Sequence, residues 1–467
     1  MKLKKRERIL FGTDGVRGLA NRHPMTGEMA MNLGRALGIR LARGLERRPR
    51  VLVGKDTRLS GYLFETAVAS GLVSVGADVH LVGPLPTPGI AFLTTGMRCD
   101  AGVVISASHN PYQDNGIKLF ARDGYKLPDD EELALESLIL GEHDEARWAT
   151  GRDLGRAYRI HDAAGRYSVY AKSAFPRGLS LDGLKIVVDC ANGAGYKVAP
   201  EVFHGLGADV VAVGVSPDGL NINENCGALN PQRLGELVRG HDAQLGVALD
   251  GDADRCILCD ERGETIDGDH VLAILARDFM GRGQLHENTV VATIMSNIGL
   301  ERAMAGIGGQ VVRVGVGDRY VVERMRRDAF SLGGEQSGHI IVHSHSTTGD
   351  GLVTALSVLA VMRKEEASLS DLAGFMKRFP QAIENVAVSS KPRLDEIDDV
   401  RHVIEAVEAE LGDEGRVLVR YSGTQMLARV MVEGPSDEIV TESARRIARV
   451  IDNHLGEQNG PQTFGRG

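Results

Sequence analysis

The sequence predicts an α/β protein with three similar α/β domains, each built on a mixed, largely parallel sheet, and a smaller C-terminal α+β domain. Two observations support this prediction. Short apolar runs alternate with segments of helical periodicity, which is typical of βαβ units. The chain is also long enough for three or four domains, at 467 residues, and its 58 glycines suit an architecture with many tight loops.

The first unit shows the pattern most clearly. Thr26 is a predicted N-cap, because apolar residues recur behind it with helical spacing at Ala30, Leu33 and Leu37. A buried strand is predicted at residues 51–53, then a helix ending near Val75. A further strand is predicted at residues 79–82.

Similar spacing recurs further along the chain. Strands near residues 186–188 and 210–211 form a second unit, and strands near 290–292 and 311–312 form a third. The last unit differs, with predicted strands at 386–388, 417–419 and 430–432 and helices near 396–411 and 436–453. Connecting segments are expected near 155–165, 262–268 and 380–390. The expected domains are 1–160, 161–263, 264–385 and 386–456, with a disordered tail at 457–467.

Composition excludes several classes of protein. A net charge of −9 argues against a nucleic-acid partner, and the longest apolar stretch, 352–362, is too short to cross a membrane. The five cysteines, at positions 99, 190, 226, 256 and 259, are scattered, which predicts a reducing, cytoplasmic location without disulfides. The pair at 256 and 259 lies in a predicted strand and lacks the further ligands of a zinc site.

Polar residues follow the apolar run at residues 101–105. Ser108 and His109 come after this predicted strand, and the pair at positions 110 and 111, Asn-Pro, sets a turn. A serine held on a rigid loop at a strand end is well placed to act as a nucleophile. An ordinary strand-to-turn junction with a capping serine fits this stretch equally well.

An acidic loop follows the apolar run at residues 247–249. Three carboxylates, those of Asp250, Asp252 and Asp254, would repel one another unless a cation lies among them, and Mg²⁺ suits oxygen ligands of this kind. Because of that repulsion, Asp252→Asn is expected to stabilise the metal-free protein slightly. An EF-hand is disfavoured, since Arg255 stands where that loop requires glycine. A solvated acidic turn is the other alternative.

Three further loops carry groups suited to ligands. Arg17 lies in a glycine-punctuated loop, residues 11–18, and can hold a phosphate. Glu335 and Ser337 can bond adjacent hydroxyls, although a plain hairpin turn fits this stretch as well. A last loop has the arginines, hydroxyls and glycine of a phosphate site, with a surface turn as the alternative; its residues are Arg420, Ser422, Gly423, Thr424 and Arg429.

Four of these stretches together resemble a known family. Ser-Ala-Ser-His-Asn-Pro, Asp-Gly-Asp-Ala-Asp-Arg, Gly-Glu-Gln-Ser-Gly-His and Arg-Tyr-Ser-Gly-Thr are similar, in this order, to the active-site loops of the α-D-phosphohexomutases. Within that superfamily the chain is most similar to the bacterial phosphoglucosamine mutases, through residues 11–18, residues 221–227 and Gln336. The resemblance covers nearly the whole chain and implies four domains around a central cleft, with one loop from each.

The resemblance also implies an activity. It implies a cytoplasmic isomerase that interconverts glucosamine 6-phosphate and glucosamine 1-phosphate, on the way to UDP-N-acetylglucosamine and peptidoglycan precursors. The implied reaction runs through a phosphoserine and a bisphosphorylated sugar, with Mg²⁺ as cofactor and a hexose 1,6-bisphosphate as activator. The implied partner is a small-molecule sugar phosphate, with no nucleic acid and no membrane, and a homodimer is left open.

Roles for single residues follow from the same resemblance. Ser108 would be the phosphoserine and would bind Mg²⁺ together with Asp250, Asp252 and Asp254. Ser106, two positions earlier, is expected to matter much less. Lys118 or His109 would accept the proton of the attacking hydroxyl if burial lowered its pKa. The remaining implied contacts are Glu335 and Ser337 to sugar hydroxyls, Arg420, Ser422, Thr424 and Arg429 to the non-reacting phosphate, and Arg17, His109, Lys118, Arg255 and His339 around the reacting group.

One departure from the family and three alternatives remain. The phosphate loop usually continues Thr-Glu-Pro, whereas Gln425 and Met426 follow Thr424 here, so we expect a loop that binds phosphate but is less ordered when empty. A phosphomannomutase/phosphoglucomutase would use the same chemistry on another hexose. A non-catalytic sugar-phosphate binding protein would be expected to lack the serine or an aspartate, and none is lost. A phosphohistidine carrier using His109 is the third alternative.

Overall fold

The computed structural model describes residues 8–12, 14–141, 148–422 and 426–456, so the tail predicted at 457–467 lies outside the described residues. These residues form three α/β/α domains with mixed sheets and a C-terminal domain with an antiparallel sheet, which confirms the predicted fold class. They fall into two compact units. The first unit runs to Met295 and includes Ile307–Phe375, and the second holds Ser296–Gly306 and the chain from Met376 onward.

The first sheet has six strands and four helices around it. Thr26 caps the first helix as predicted, because its side chain accepts a hydrogen bond from the Met29 amide. The helices are α1 (Gly27–Ala42), α2 (Gly61–Ser74), α3 (Thr87–Gly96) and α4 (Asp129–Ile139). The strands are β1 (Val16–Leu19), β2 (Arg50–Lys55), β3 (Asp78–Pro84), β4 (Ala101–Ile105), β5 (Asp114–Ala121) and β6 (Ala157–Arg159), in the order β1-β5-β4-β2-β3-β6.

Parallel and antiparallel pairs combine in this sheet. Strand β2 is parallel to β3 and β4, while β5 is antiparallel to β4 and β1. The helices α1 and α2 pack closely because Gly71 has no side chain. A Cβ at this position would collide with the Met31 carbonyl. The apolar residues of β2 and β4 are fully buried, as expected for strands covered by helices.

The second sheet has five strands in the order β11-β10-β9-β7-β8. Its central strands are buried along their length, which explains why they were recognisable as continuous apolar runs. The strands are β7 (Lys185–Asp189), β8 (Asp209–Val213), β9 (Leu245–Leu249), β10 (Cys256–Asp260) and β11 (Thr265–Ile266). The helices are α5 (Ala163–Lys172), α6 (Val198–His204) and α7 (Pro231–Gly240).

The third sheet has four strands in the order β13-β12-β14-β15. Its strands are β12 (Thr289–Thr293), β13 (Gln310–Val314), β14 (Leu332–Gly334) and β15 (Ile340–Val342). The helices of this part are α8 (Gly268–Gly281), α10 (Asp318–Asp328), α11 (Gly351–Glu365) and α12 (Leu369–Ala373), while α9 (Ile298–Gly306) belongs to the second unit.

The second unit is built on a three-stranded antiparallel sheet in the order β16-β18-β17. Its strands are β16 (Gln381–Ala387), β17 (Arg416–Tyr421) and β18 (Leu427–Glu433), and its further helices are α13 (Asp398–Leu411) and α14 (Asp437–Leu455). The segments expected as linkers contain the strands β6, β11 and β16. All three strands have a partner in their sheets. Among the described residues, no helix combines the length and apolar character that a membrane crossing requires.

Candidate active site

The loop between β4 and β5 presents Ser108. This serine is 1% exposed and has a left-handed backbone with φ of +53°. Its Oγ donates a 2.5 Å hydrogen bond to Asp250 Oδ2 and lies 3.4 Å from His109 Nδ1. A residue with a side chain costs free energy in this backbone region and is kept there only when its surroundings fix it. Ser108 is therefore held in one position against the acidic loop.

The acidic loop joins β9 to β10 and brings three carboxylates together. Ligand oxygens of Asp250, Asp252 and Asp254 lie within 4.8 Å of one another, and all three residues are buried. Burial raises the pKa of Asp250 well above its ordinary value, and the charges of Asp254 and Asp252 raise it further. The Oδ1 atoms of Asp252 and Asp254 are buried without a hydrogen-bond partner in the described part of the chain. This donor set fits a hard divalent cation such as Mg²⁺.

Lys118 is the buried cation of the site. Its Nζ lies 2.8 Å from Asp252 Oδ2, 3.5 Å from Asp254 Oδ2 and 3.4 Å from Asp14 Oδ2. Burial by itself lowers the pKa of Lys118, but Asp14, Asp252 and Asp254 outweigh it and the pKa is raised. A proton acceptor would need a lowered pKa, so Lys118 does not meet this condition. Its ammonium group is a fixed positive charge. Burial also raises the pKa of Asp252, yet Lys118 and Thr87 outweigh it and lower that pKa below its ordinary value.

His109, unlike Lys118, has the lowered pKa that a proton acceptor needs. Burial lowers its pKa to about 4, with a further contribution from Arg255 and Arg17. The imidazole is therefore neutral at pH 7 and has a free lone pair. Arg17 forms an ion pair with Asp14, and its Nη1 donates to the Ala107 carbonyl at 3.4 Å. This arginine thus lies beside the serine loop.

Charged side chains from all three α/β domains complete the cluster. His339 Nε2 lies 3.5 Å from Asp318 Oδ2 and 4.0 Å from Asp254 Oδ2. Arg255 Nε lies 4.0 Å from Asp254 Oδ1, so this guanidinium borders the acidic loop. Lys126 bridges Asp318, at 2.5 Å, to Asp14. The structure thus joins the ends of strands from three sheets around Ser108.

The loop between β14 and β15 carries Glu335 and Ser337. It is a hairpin loop, in agreement with one of the two interpretations of the sequence. Glu335 Oε1 accepts from the Gly317 amide at 3.2 Å, and Ser337 Oγ donates to Glu335 Oε2 at 3.3 Å. Gly338 is required here, because its φ is +89° and a side chain would collide with the Cys256 carbonyl. Ser337 is exposed and Glu335 is half-buried, so the loop presents the serine side chain to solvent.

The loop between β17 and β18, which the sequence resemblance assigns to phosphate, is partly described. Arg420 at the end of β17 lies directly opposite Arg429 on β18. Burial lowers the pKa of Arg420, and the charge of Arg429 adds to this effect. Ser422 donates its amide to the Leu427 carbonyl at 2.8 Å, while Lys391 Nζ donates to the Ser422 carbonyl at 2.7 Å. Like charges placed opposite each other suit an anion. Gly423, Thr424 and Gln425 lie outside the described residues.

Comparisons with known proteins agree with this geometry. Domain models of phosphoglucomutase/phosphomannomutase match the chain in order: alpha/beta/alpha domains I, II and III at residues 8–146, 168–263 and 267–379, and the C-terminal domain at 384–450. A phosphoglucosamine mutase of Syntrophotalea carbinolica is 55% identical over 453 residues, which cover 97% of this chain and 99% of that protein. A phosphoglucosamine mutase of an Anaeromyxobacter species is 57% identical and covers 96% of both chains.

The chain belongs to the phosphoglucosamine mutase family of the α-D-phosphohexomutase superfamily. It is thus an isomerase of the phosphohexomutase type. Solved structures share the fold: a phosphoglucomutase/phosphomannomutase family protein of Burkholderia thailandensis aligns with a TM-score of 0.78 at 24% identity, covering 95% of this chain and 97% of that one. The Aspergillus fumigatus N-acetylphosphoglucosamine mutase, solved with GlcNAc-6P and magnesium, aligns with a TM-score of 0.65 at 17% identity, covering 96% of each chain.

Several residues of the phosphohexomutase site were missed in the sequence. Asp14 lies within the loop that drew attention to Arg17, but Lys126 and Asp318 gave no signal. Lys126 lies 112 positions from Asp14 and 192 from Asp318, so only the fold brings them together. Ser106, which is expected to matter much less than Ser108, is fully buried, and its Oγ accepts a hydrogen bond from the Ser108 amide at 2.9 Å.

Proposed function

We propose that this phosphohexomutase interconverts glucosamine 6-phosphate and glucosamine 1-phosphate by way of a phosphorylated Ser108 and a bisphosphorylated sugar. The observation that supports this most strongly is the position of the Ser108 Oγ, 2.5 Å from Asp250 in the cluster of three buried aspartates. The choice of sugar is supported by relatives at 53–57% identity, all phosphoglucosamine mutases.

The first half of the reaction transfers phosphate from Ser108 to the free hydroxyl of the sugar phosphate. The bond from Ser108 Oγ to phosphorus breaks, a bond from the sugar oxygen to phosphorus forms, and the hydroxyl proton leaves. His109 is the proposed acceptor of this proton, because its lowered pKa leaves it neutral at pH 7. Its Nδ1 lies 3.4 Å from the Ser108 Oγ, so the same histidine can return a proton to the serine oxygen as it leaves. Lys118 is tied to Asp252 at 2.8 Å and supplies positive charge near the transferring group.

Asp250, Asp252, Asp254 and the phosphate on Ser108 would hold Mg²⁺. When bound, this ion would neutralise charge on the transferring group and on the serine oxygen as it leaves. Arg17, Arg255 and His339 are proposed to surround the same group, since each lies beside the aspartate and serine loops. A hexose 1,6-bisphosphate is the proposed activator, because it can return a lost phosphate to Ser108.

The second half requires the bisphosphorylated sugar to turn round, so that its other phosphate returns to Ser108. Glu335 and Ser337 are proposed to bind sugar hydroxyls in both orientations. Arg429 opposite Arg420 supports the proposal that the second unit binds the non-reacting phosphate. The proposed contacts there are Arg420, Ser422, Gly423, Thr424 and Arg429.

Mass spectrometry of the intact protein with peptide mapping tests the covalent step. We expect one phosphate, on Ser108, after incubation with glucose 1,6-bisphosphate, and we expect it to survive acid. An acid-labile phosphate on His109 would instead identify a phosphohistidine carrier. A second assay compares glucosamine 1-phosphate with mannose 1-phosphate and glucose 1-phosphate. We expect the highest kcat/KM for glucosamine 1-phosphate, and a preference for either other sugar would contradict the proposed substrate.

A further inference from the structure

Two segments without a part in the transfer step both contact the serine loop. One is the turn after β2, which contains Asp56 and Arg58. The other is the segment at residues 221–227 of the second domain, which carries Asn223. Both segments bond to the main chain of the loop, and neither reaches the reacting oxygen in the described structure.

Arg58 is 1% exposed and directs its guanidinium at four carbonyl oxygens of the serine loop. Its Nη2 donates to Ser108 O at 2.9 Å and to Asn110 O at 2.7 Å, and its Nη1 donates to Asp114 O at 3.1 Å and to Pro111 O. Its Nε donates to the buried Asp56 carboxylate at 2.8 Å, which balances the charge. Both terminal nitrogens of the guanidinium thus hold the loop, while its Nε is bound to Asp56.

Asn223 reaches the same two carbonyls from the second domain. Its Nδ2 donates to Ser108 O at 2.9 Å and to Asn110 O at 3.1 Å. Asn223 is itself fixed, because it is 9% exposed and its main-chain N–H donates to the Ala191 carbonyl at 2.9 Å. Two donors from two domains therefore share two acceptors on either side of His109.

The other end of the Ser108 residue is held as well. Its amide donates to Ser106 Oγ at 2.9 Å, and Ser106 Oγ donates to Asp56 Oδ2 at 2.6 Å. Both main-chain polar groups of Ser108 are therefore bonded to buried side chains. This pinning explains how the backbone keeps its left-handed conformation, with the Oγ aimed at Asp250.

The acidic loop packs against the same point. A Cβ added at Gly251 would lie 2.5 Å from Ser108 O and 2.9 Å from Asn223 Nδ2. The Ser108 carbonyl, the Asn223 amide and the Gly251 backbone are thus in close contact. A shift of the Ser108 carbonyl would therefore change the position of the serine relative to the three aspartates.

We propose that Arg58 and Asn223 form a two-sided clamp of positioning residues, which fixes Ser108 against the aspartate loop during both phosphate transfers and while the sugar intermediate turns round. Asn223 performs this role across the boundary between the first two domains. The inference rests on the proposed function, because it assigns the clamp to the phosphoserine at Ser108. Positioning errors of about 1 Å can slow an enzymatic step by on the order of a hundredfold.

The test is Asn223→Ala, with Asn225→Ala as its matched control. Asn225 lies in the same segment and shares the positive φ, +51° against +60°, but its side chain is exposed. The backbone cost of alanine is therefore similar at both positions. We expect Asn223→Ala to lower kcat about tenfold or more and leave KM for the sugar phosphate within about twofold, while Asn225→Ala changes neither.

Two readouts besides turnover separate positioning from folding. Phosphate transfer from glucose 1,6-bisphosphate to Ser108, followed by mass, should slow in parallel with kcat, and the melting temperature should match that of Asn225→Ala. Asn223→Asp, which keeps the size and the left-handed preference but loses the donor, should be at least as slow as Asn223→Ala. Arg58→Lys should show the same split between kcat and KM, since lysine keeps the charge but not the fork.

Three results would overturn the clamp. The first is a kcat for Asn223→Ala equal to that of the control. The second is a raised KM with an unchanged kcat. The third is a melting temperature far below the control's with full activity per folded molecule, which assigns Asn223 a structural role. Ser108→Ala separates the two hypotheses: if it is inactive while Asn223→Ala is normal, only the clamp fails, whereas an active Ser108→Ala contradicts the proposed function itself.

Discussion

The serine loop and the loop between β14 and β15, which we propose binds the sugar, are both short connections between antiparallel strands, yet they are held very differently. Ser108 is 1% exposed and bonded through its main chain to Ser106, Arg58 and Asn223. Ser337 is exposed, and the bond described for its side chain is to Glu335 in the same loop. A group that exchanges a covalent bond needs one fixed position, whereas groups that bind a turning sugar need access.

The two serines offer the most severe test of this comparison. We expect Ser108→Ala to abolish turnover with the fold intact, because loss of a covalent step costs several kcal/mol in the barrier. We expect Ser337→Ala to raise KM a few-fold and leave the phosphorylation of Ser108 unchanged. Steady-state kinetics and intact mass measure both effects. Activity of Ser108→Ala within about tenfold of the parent would remove the distinction between the loops.

The aspartates that face the fixed serine should differ from one another in stability. Asp250→Asn should raise the melting temperature of the metal-free protein, since burial and two neighbouring carboxylates already raise the pKa of Asp250. Asp252→Asn should lower it, because Asp252 Oδ2 is the 2.8 Å partner of the buried Lys118. This is the opposite of the slight stabilisation expected from the sequence, because that expectation did not consider the contact between Asp252 and Lys118.

Calorimetry without metal measures these melting temperatures, and a magnesium titration measures the midpoint of activation for each variant. We expect both substitutions to move the midpoint to higher magnesium concentration. An unmoved midpoint would place the metal site elsewhere, and equal stability changes would show that the Lys118 pair does not matter.

The loop between β17 and β18, which we propose binds the non-reacting phosphate, extends the comparison to another domain. Arg429→Ala should raise KM about tenfold or more with a smaller change in kcat, because the proposed role of Arg429 is to bind the non-reacting phosphate. Without ligand it should also raise the melting temperature slightly, since Arg420 lies directly opposite and like charges repel. An unchanged KM would place the phosphate contact elsewhere.

The smallest effect on turnover is expected outside the loops, at Asp350, which caps α11. Burial raises the pKa of Asp350 from 3.8 to about 6, so the folded protein keeps a proton that the unfolded chain releases. Its contribution to stability is therefore present at low pH and lost between about pH 4 and pH 6. Asp350→Asn should remove this loss, on the order of 3 kcal/mol, and keep turnover close to the parent's.

Melting temperatures of the parent and of Asp350→Asn should therefore diverge as the pH rises from about 4 to 6, in favour of asparagine, and run in parallel above that. Asparagine can still accept the bonds that Oδ1 receives from Tyr167, Leu352 and Val353. A constant difference across this range would show that Asp350 does not titrate there.

Sequence patterns predicted much of the secondary structure, because helix caps and buried strands depend on residues that are close together in the chain. The Thr26 cap depends on a hydrogen bond over three positions, and the buried strands of the first two sheets are continuous apolar runs. Two short strands within the expected linkers were missed for a related reason. The strands β6 and β11 span three and two residues, too short for a pattern to distinguish them from a loop.

The sequence by itself determined the α/β class, the loops that carry Ser108 and the three aspartates, and the family, because each of these lies in a contiguous stretch. Only the tertiary structure decided that Lys118 is a fixed cation, that Ser106 holds the serine, and that Arg58 and Asn223 grip the same two carbonyls. Asn223 lies 115 positions from Ser108, and Lys118 lies 134 from Asp252. Burial and charge pairing depend on which distant segments meet, and no local pattern contains that information.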